Sequence, residues 1–274
     1  MSSARQSLVV QVAWLPTLAR DAHESISIVI DVLRAATSLS VMAETGIAEV
    51  LIAPDPPSAR SIARTLDGSP LLCGESEGIK PDDFDRGNSP DSFRDPSLRG
   101  RPVVFCSSNG AGAIHQVAGA GVLLIGALVN ARRVARSVVD TWKRQQRRVL
   151  VVCSGDHFGQ RISLEDAYCA GVIVSHILAL TADIIADVAI ELDDGAVAAL
   201  RLFQSYRSND APGGRPRSSA TARMFAESAA ARKLRAWGLD ADVQACGAVD
   251  GIHGLMAVSR IGDRLVGRPV LVLD

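Results

Sequence analysis

Residues 26–38 read Ile-Ser-Ile-Val-Ile-Asp-Val-Leu-Arg-Ala-Ala-Thr-Ser, and this stretch decides the fold of the chain. Its first five residues are mostly apolar and β-branched, which is the composition of a buried strand. The predicted strand stops at Asp31, Arg34 follows, and 35–44 is predicted to be a helix that ends at Gly46. Because ligands of open α/β sheets bind at the carboxyl ends of strands, Asp31 and Arg34 are candidate site residues. A structural Asp–Arg pair that closes the turn is the alternative.

Strand patterns and helix patterns alternate along the chain as far as residue 180. This alternation predicts an α/β fold with a predominantly parallel sheet and helices on both faces. We expect residues 1–180 to form this core and to carry the site motifs. The predicted strands are 8–14, 26–30, 48–53, 70–73, 103–106, 122–125 and 148–153, and the predicted helices are 35–44, 57–66, 111–118, 131–146 and 163–180.

The remaining residues, 181–274, are predicted to form a helical C-terminal portion with a short β tail. Helices are expected at 184–206 and 218–237, separated by a loop at 208–217 that is rich in turn residues and positive charge. The segment 255–273 reads as a β-hairpin or as two short strands. No linker composition marks a boundary, so this portion is either a second subdomain or part of the same domain.

The composition excludes several classes of protein. With 274 residues, 47% hydrophobic residues and a formal net charge of −1, the chain can build a core and lacks the positive charge typical of nucleic-acid binding. No apolar run reads as long enough to span a membrane, and the N-terminus has no signal-peptide core. The five cysteines are scattered, which favours reduced thiols over a disulfide framework or a zinc site. We therefore expect a soluble cytoplasmic protein.

A long polar loop follows the strand predicted at 70–73. It contains Gly74-Glu75 and continues through Phe84-Asp85 to Gly87-Asn88-Ser89-Pro90. Long loops in compact domains are usually functional or disordered, and the Gly-Asn-Ser-Pro turn favours order. Glu75 and Asp85 are oxygen ligands of the kind that hold Mg²⁺. The alternative is a solvated acidic loop.

A second polar loop lies between the strand at 103–106 and the next helix. Its residues Ser108, Asn109 and Gly110 lead into a helix N-terminus, where backbone amides can bind a phosphate. The loop is not a Walker loop, because the Gly-Lys-Ser/Thr signature is absent. Serine and asparagine are also ordinary helix N-caps, so a purely structural role remains open.

A third loop precedes the helix predicted at 163–180. Ser163 and Asp166 have the spacing of a capping box, which predicts that they cap that helix. Capping does not explain why Asp156, His157 and Arg161 lie in the same loop. His157 could serve as a general acid, although a lone histidine in a loop is more often a bystander.

The motifs, taken in order, resemble those of the 2-phosphosulfolactate phosphatase family, also called the ComB-like family. The resemblance covers residues 8–180. It implies a Mg²⁺-dependent phosphatase that converts 2-phospho-3-sulfolactate and water to 3-sulfolactate and phosphate, a step of coenzyme M biosynthesis in methanogens. The motifs are Asp31-Val-Leu-Arg-Ala-x-Thr37, Gly74-Glu75, Phe84-Asp85-x-Gly-Asn88-Ser-Pro90, Asn109-Gly110 and Ser163-Leu-Glu165-Asp166 followed by Cys169-Ala-Gly171.

The chain departs from the family pattern at two cationic positions. Ser76 and Gly112 stand where the family usually has arginines. Arginine is the preferred bidentate partner of phosphate, so its loss weakens the inference about the substrate. Arg86, at a position that is usually apolar, is a candidate for partial compensation.

Two other phosphatase chemistries do not fit the sequence. A cysteine-dependent phosphatase needs arginine six positions after its cysteine, but Gly112 follows Cys106 and Gly159 follows Cys153 at that spacing. An aspartyl-phosphate enzyme of the haloacid dehalogenase type needs Asp-x-Asp, which Asp31 does not begin. Metal-assisted attack by water remains.

On that hypothesis the candidate residues fall into three roles. We also expect Asp31, Glu75, Asn109 and Glu165 to lie close together in the fold although they are far apart in the sequence. The expected partner is a small phosphorylated acid, with no nucleic acid and no membrane, and a homo-oligomer is left open. The second class of function is a relative that binds an anionic metabolite without turnover. The candidates are Asp31, Arg34, Glu75 and Glu165 for catalysis, Asp31, Glu75 and Asp85 for Mg²⁺, and Asn88, Ser108, Asn109, Gly110 and Arg161 for phosphate or substrate.

Overall fold

The fold is described from a computed structural model, which covers residues 7–185, 188–208 and 219–270. The strands are β1 (Ser7–Ala13), β2 (Ser25–Ile30), β3 (Glu49–Ala53), β4 (Leu71–Gly74), β5 (Pro102–Cys106), β6 (Val122–Gly126), β7 (Arg148–Cys153), β8 (Ala189–Leu192), β9 (Met256–Ile261) and β10 (Arg264–Pro269). The α-helices are α1 (Ala35–Thr45), α2 (Pro56–Arg64), α3 (Gly110–Gln116), α4 (Ala131–Gln145), α5 (Leu164–Ile184), α6 (Asp194–Ser208), α7 (Ala220–Glu227), α8 (Ala229–Ala236) and α9 (Asp240–Cys246).

The strands form one mostly parallel sheet, which confirms the predicted fold class. Within the described residues its order is β4-β5-β3-β10-β9-β6-β2-β7-β1-β8. Two groups of parallel strands, β4-β5-β3 and β6-β2-β7-β1-β8, lie on either side of the terminal hairpin. The hairpin pairs antiparallel with β3 on one side and with β6 on the other. The predicted β tail therefore lies in the middle of the sheet.

The two parallel groups run in opposite directions, because the three successive pairings at the hairpin are all antiparallel. One hydrophobic cluster nevertheless contains side chains from both groups, including Val29 and Val152 from one and Val103 and Phe105 from the other. Helix α3, which follows β5, also contacts β2. The sheet thus brings the loops after β4 and β5 close to the loops after β2 and β7.

Helices cover both faces of the sheet, as predicted. On the β6–β8 group, a large core cluster joins the strands to α4, α5 and α6, with Trp142 and Tyr168 among its largest buried side chains. Helices α1 and α3 cover the opposite face. Helix α2 packs on the free face of the β4-β5-β3 group. Helix α1 ends as predicted at Gly46, whose φ of +83° suits glycine and whose amide donates to the Met42 and Ala43 carbonyls.

Helix α5 corrects the expectation that no apolar run is long enough to cross a membrane. Its 21 residues, Leu164–Ile184, have the length and hydropathy of a membrane span. However, 61% of its most apolar window is buried inside the protein, where the helix packs against α4, α6 and β7. It is therefore built as a central core helix.

Two predicted helices of the C-terminal portion were wrong in extent. The segment 184–206 contains strand β8, which pairs with β1 at one end of the sheet order. Asp193 then accepts a hydrogen bond from the Ala196 amide at the start of α6. The segment 218–237 is divided at Ser228, whose hydroxyl accepts from the Ala231 amide and begins α8. Most of the predicted loop at 208–217, and residues 271–273 of the predicted tail, lie outside the described residues.

Candidate active site

The loops after β2, β4, β5 and β7 meet at a cavity of about 420 Å³. Asp31, Glu75, Asn109 and Glu165 all line it, so the residues that the sequence predicted to converge do so. Helix α8 supplies another wall of the cavity through Lys233, Leu234 and neighbouring residues. The cavity is therefore formed by both parallel groups of the sheet together with the C-terminal helices.

Among the residues that the structure describes, four acidic side chains are buried beside this cavity, and we call them the carboxylate cluster: Asp31, Glu75, Glu165 and Asp166. Burial, followed by the charge of Glu75, raises the pKa of Asp31 from 3.8 to about 7. Burial, followed by the charge of Asp31, raises the pKa of Asp166 well above its ordinary value. The site therefore concentrates carboxyl groups whose ionised forms are disfavoured by burial and by one another.

Asp31 lies where the sequence placed it, between the end of β2 and the start of α1. Its Oδ1 accepts a hydrogen bond of 3.2 Å from the Ala35 amide, and its main-chain oxygen accepts from the Ala36 amide. A Cβ on Gly110 would come within 2.6 Å of Asp31 Oδ2. Only glycine therefore allows the start of α3 to approach this carboxylate so closely.

Glu75 is fixed to the loop that follows β5. Its Oε1 accepts from the Ser108 amide at 2.7 Å, and its Oε2 accepts from the Ser108 hydroxyl at 3.1 Å and from the Gly78 amide at 2.5 Å. The Ser108 hydroxyl accepts in turn from the Glu77 amide at 2.6 Å. Ser108 therefore holds Glu75 in place, rather than presenting a free hydroxyl to the cavity.

Asp166 and Glu165 join the site loops to one another. Asp166 accepts from the Val32 amide at 2.9 Å and from the Gly155 amide at 3.1 Å, so it connects the loops after β2 and β7. Glu165 Oε2 accepts from the Ser228 hydroxyl at the start of α8, at 2.7 Å.

The predicted capping box at the start of α5 was wrong. Neither Ser163 nor Asp166 caps the helix with its side chain, because the Asp166 carboxylate turns inward to the two loop amides.

Arg34 lines the cavity and is only 6% exposed, but its partner is not Asp31. Its Nη1 donates to Asp242 at 2.5 Å, and its Nη2 donates to the Gly78 carbonyl at 3.1 Å. Asp242 also accepts from the Ser89 hydroxyl at 2.6 Å. Arg34 therefore ties α9 and the loop after β4 to the β2–α1 turn, and much of its charge is matched by Asp242.

The remaining predicted polar residues have different surroundings. Asn88 is 4% exposed and lines the cavity, and its Oδ1 is buried without a hydrogen-bond partner among the described residues. Asn109 Oδ1 accepts from the Phe158 amide at 2.8 Å, which connects the loops after β5 and β7. Arg161 lines the cavity and lies 3.2 Å from the His157 ring nitrogen, on an exposed loop.

Two predicted residues do not contribute to the cavity lining. Asp85 is exposed on the side of β4, where its carboxylate accepts from the Leu72 amide at 2.8 Å. It is therefore placed as a structural partner of the strand. Gly110 is buried, and its amide lowers the pKa of Asp31, so it faces that carboxylate rather than an open phosphate cradle.

Sequence reasoning missed Asp242, Lys233 and Trp237, all of which lie in the C-terminal portion. Asp242 is 208 residues from Arg34, and no local pattern links them. Lys233 and Trp237 lie one helical turn apart, which could have marked an exposed cation–aromatic pair but not its position at the cavity. The sequence predicts a capping role for Asp166, and no local pattern indicates that this carboxylate connects two loops.

The carboxylates of this cavity would hold a metal ion only together with water or substrate oxygens. Among the described residues, no group of three or more His, Cys, Asp or Glu side chains is arranged to hold a metal ion. Mg²⁺, however, usually keeps several waters and is bound through one or two carboxylates together with substrate phosphate. Asp31 and Glu165 both line the cavity, and a divalent cation there would favour the ionised form of these carboxyls.

Comparison with known proteins identifies the family to which the chain belongs. A family described as 2-phosphosulpholactate phosphatase matches residues 15–260. A protein of Deinococcus radiodurans is 36% identical over 73% of this chain and 77% of its own length. A protein of Thermus thermophilus is 31% identical over 89% of this chain and 93% of its own length. Both relatives carry the name "Probable 2-phosphosulfolactate phosphatase". The chain accordingly belongs to the 2-phosphosulpholactate phosphatase family.

Proposed function

We propose that this chain is a Mg²⁺-dependent phosphatase that hydrolyses the phosphate ester of a small acidic metabolite, with 2-phospho-3-sulfolactate as the first candidate. The observation that carries this proposal is the carboxylate cluster, which lies beside a cavity that is also lined by Arg161 and Lys233. The names of the relatives supply the candidate substrate. The products would be 3-sulfolactate and phosphate, and coenzyme M biosynthesis is one setting in which this step is used.

Asp31 and Glu165 are the residues that would hold Mg²⁺, with Glu75 beside them. When bound, the ion would neutralise charge on the phosphoryl group and orient the attacking water. Burial, followed by the charge of Glu75, raises the pKa of Asp31, and the charge of Glu75 would also favour binding of the cation. Asp85 is not part of this set, because its carboxylate is committed to the Leu72 amide.

The protein's own groups then have distinct tasks. Arg161 would contact phosphoryl oxygens, because it lines the cavity and has no carboxylate partner among the described ion pairs. The Asn88 side-chain amide, buried and without a partner for its Oδ1, would bind a polar group of the ligand.

A phosphate-release screen tests this function. The purified chain is incubated with phosphate esters of carboxylic and sulfonic acids, with Mg²⁺ or with excess chelator. We expect release from 2-phospho-3-sulfolactate that depends on Mg²⁺ and is lost in Asp31→Asn. Release that persists in excess chelator would contradict the metal dependence, and no release from any ester would contradict the activity.

The alternative function is binding of an anionic metabolite without turnover. It is favoured by Ser76 and Gly112, which replace arginines of the family pattern. It is also favoured by the ion pair between Arg34 and Asp242, because Arg34 is then less available to a ligand. In the same screen this alternative predicts ligand binding by calorimetry with no phosphate release. In either case we expect a cytoplasmic protein whose partner is a small molecule, with a homo-oligomer as one expected assembly.

A further inference from the structure

Lys233 is a cation on the cavity wall to which neither the family motifs nor the phosphatase chemistry gives a task. It lies on α8 and lines the cavity together with Leu234 and Trp237 from the same part of the chain. Among the described residues it forms no ion pair, whereas Arg34 is paired with Asp242. A cation that faces a ligand cavity without a carboxylate partner is available to a negatively charged ligand.

The ammonium group of Lys233 packs on an aromatic ring that also lines the cavity. Its Nζ lies 4.8 Å from the ring centroid of Trp237, a cation–π distance. The Trp237 ring packs directly on Gly78, where a Cβ would come within 2.5 Å of it. Gly78 donates a hydrogen bond to Glu75 and accepts one from Arg34. Lys233 therefore contacts, through Trp237 and Gly78, two residues that line the cavity.

The position of Lys233 along α8 separates it from the carboxylate cluster. Helix α8 begins at Ser228, whose hydroxyl donates to Glu165. Lys233 is five residues further on, which corresponds to about 7.5 Å along a helix axis. Its ammonium group contacts Trp237, which follows it by one helical turn and also lines the cavity, rather than Glu165. A ligand with phosphate at the cluster would therefore present its other end to Lys233.

We infer that Lys233 is a specificity-determining residue, which binds the acid group that the substrate carries in addition to its phosphate. This inference rests on the proposed function and assigns its second anionic subsite to α8. It also gives the chain a cation near the ligand even though Ser76 and Gly112 replace arginines. The contact would form equally in the ground state and in the transition state, so it would affect KM rather than kcat.

Calorimetric titrations with 3-sulfolactate, lactate and inorganic phosphate test this assignment in the presence of Mg²⁺. We expect Lys233→Gln to weaken 3-sulfolactate binding about tenfold and to change phosphate binding less than twofold, and Lys233→Arg to restore part of the loss. The lactate titration shows whether the carboxylate or the sulfonate makes the contact. Lys143→Gln, which removes the same charge from the exposed surface of α4, serves as the matched control and should leave all three affinities unchanged.

The kinetic measurement separates this inference from the proposed function. With 2-phospho-3-sulfolactate, Lys233→Gln should raise KM about tenfold and leave kcat within twofold. Unchanged 3-sulfolactate affinity, absent binding by the wild type, or an equal loss of phosphate affinity would overturn the role of Lys233, even if the enzyme is active. Binding that depends on Lys233 without any phosphate release would instead support the subsite and overturn the phosphatase activity.

Discussion

Replacing Asp31 with asparagine should make the metal-free protein more stable and less active at the same time. The carboxylate is 6% exposed and lies beside Glu75 and Glu165, so its charged form is disfavoured in the folded state. Asparagine keeps an oxygen for the Ala35 amide but carries no charge. A stabilising substitution that abolishes function is typical of a strained active site.

The size and sign of the effect follow from the pKa of Asp31, 3.8 as its ordinary value and about 7 in the folded protein. The folded carboxyl holds its proton to a higher pH than the unfolded one, so stability falls as pH rises from 3.8 to 7 and stays low above 7. The full pKa difference corresponds to about 4 kcal/mol of lost folding stability at pH 8. At pH 5.5 only about 2 kcal/mol is lost, so the advantage of Asp31→Asn should shrink by about half.

Urea unfolding in excess chelator at pH 8 and pH 5.5 measures this difference. Asp82→Asn is the matched control, because Asp82 is exposed and its replacement should change stability by no more than about 0.5 kcal/mol. Phosphate release by Asp31→Asn with Mg²⁺ should fall at least about a hundredfold, since one electrostatic contact in an active site is typically worth that factor. If Asp31→Asn is no more stable than the wild type at pH 8, or if its advantage does not shrink at pH 5.5, the reasoning is wrong.

Three further predictions concern the neighbouring parts of the site. Arg34→Ala should destabilise the protein by about 3–5 kcal/mol in urea unfolding, because it leaves Asp242 buried and unpaired, and adding Asp242→Ala should recover part of this loss. In the folded fraction, Arg34→Ala should lower kcat/KM at least about tenfold, with partial rescue by lysine; normal kinetics would leave Arg34 with a structural role only. Gly110→Ala should reduce phosphate release because its Cβ meets Asp31, whereas Gly112→Ala, with open space around it, should not. Added Mg²⁺ should raise the melting temperature of the wild type, and no rise would argue against a magnesium site.

The elements of the core could be predicted from the sequence because their signals are local. Strand β7 was predicted at its observed bounds, and α1 began at Ala35 and ended before Gly46 as expected. The helix expected at 184–206 failed because β8 is formed by pairing with β1, which no local pattern reports. The break at Ser228 was missed for a similar reason, since serine is tolerated inside helices and its bond to Glu165 is long-range.

Part of the candidate site was predicted from the sequence, but its residues come together by a different sheet geometry from the one expected. Asp31, Glu75, Asn109 and Glu165 converge, but they do not share one edge of a uniformly parallel sheet. Glu75 and Asn109 follow strands of one parallel group, and Asp31 follows a strand of the other, which runs in the opposite direction. The motif order identified the participants, whereas the partners of Arg34 and the role of α8 depend on tertiary contacts.

The place of the β9–β10 hairpin has a consequence for the order in which this protein can fold. Its strands join β3 to β6, and Val266 pairs with Leu51, which lies 215 residues earlier in the chain. During synthesis on a ribosome, the two parallel groups can each collapse before the hairpin is made. The edges of β3 and β6 then have no strand to pair with until β9 and β10 emerge. Such long-range pairing is intrinsically slow because its loop-closure entropy is lost first. Both edges therefore lack a partner strand from the end of β6 at residue 126 until β9 begins at residue 256, a state in which chaperone binding would be useful.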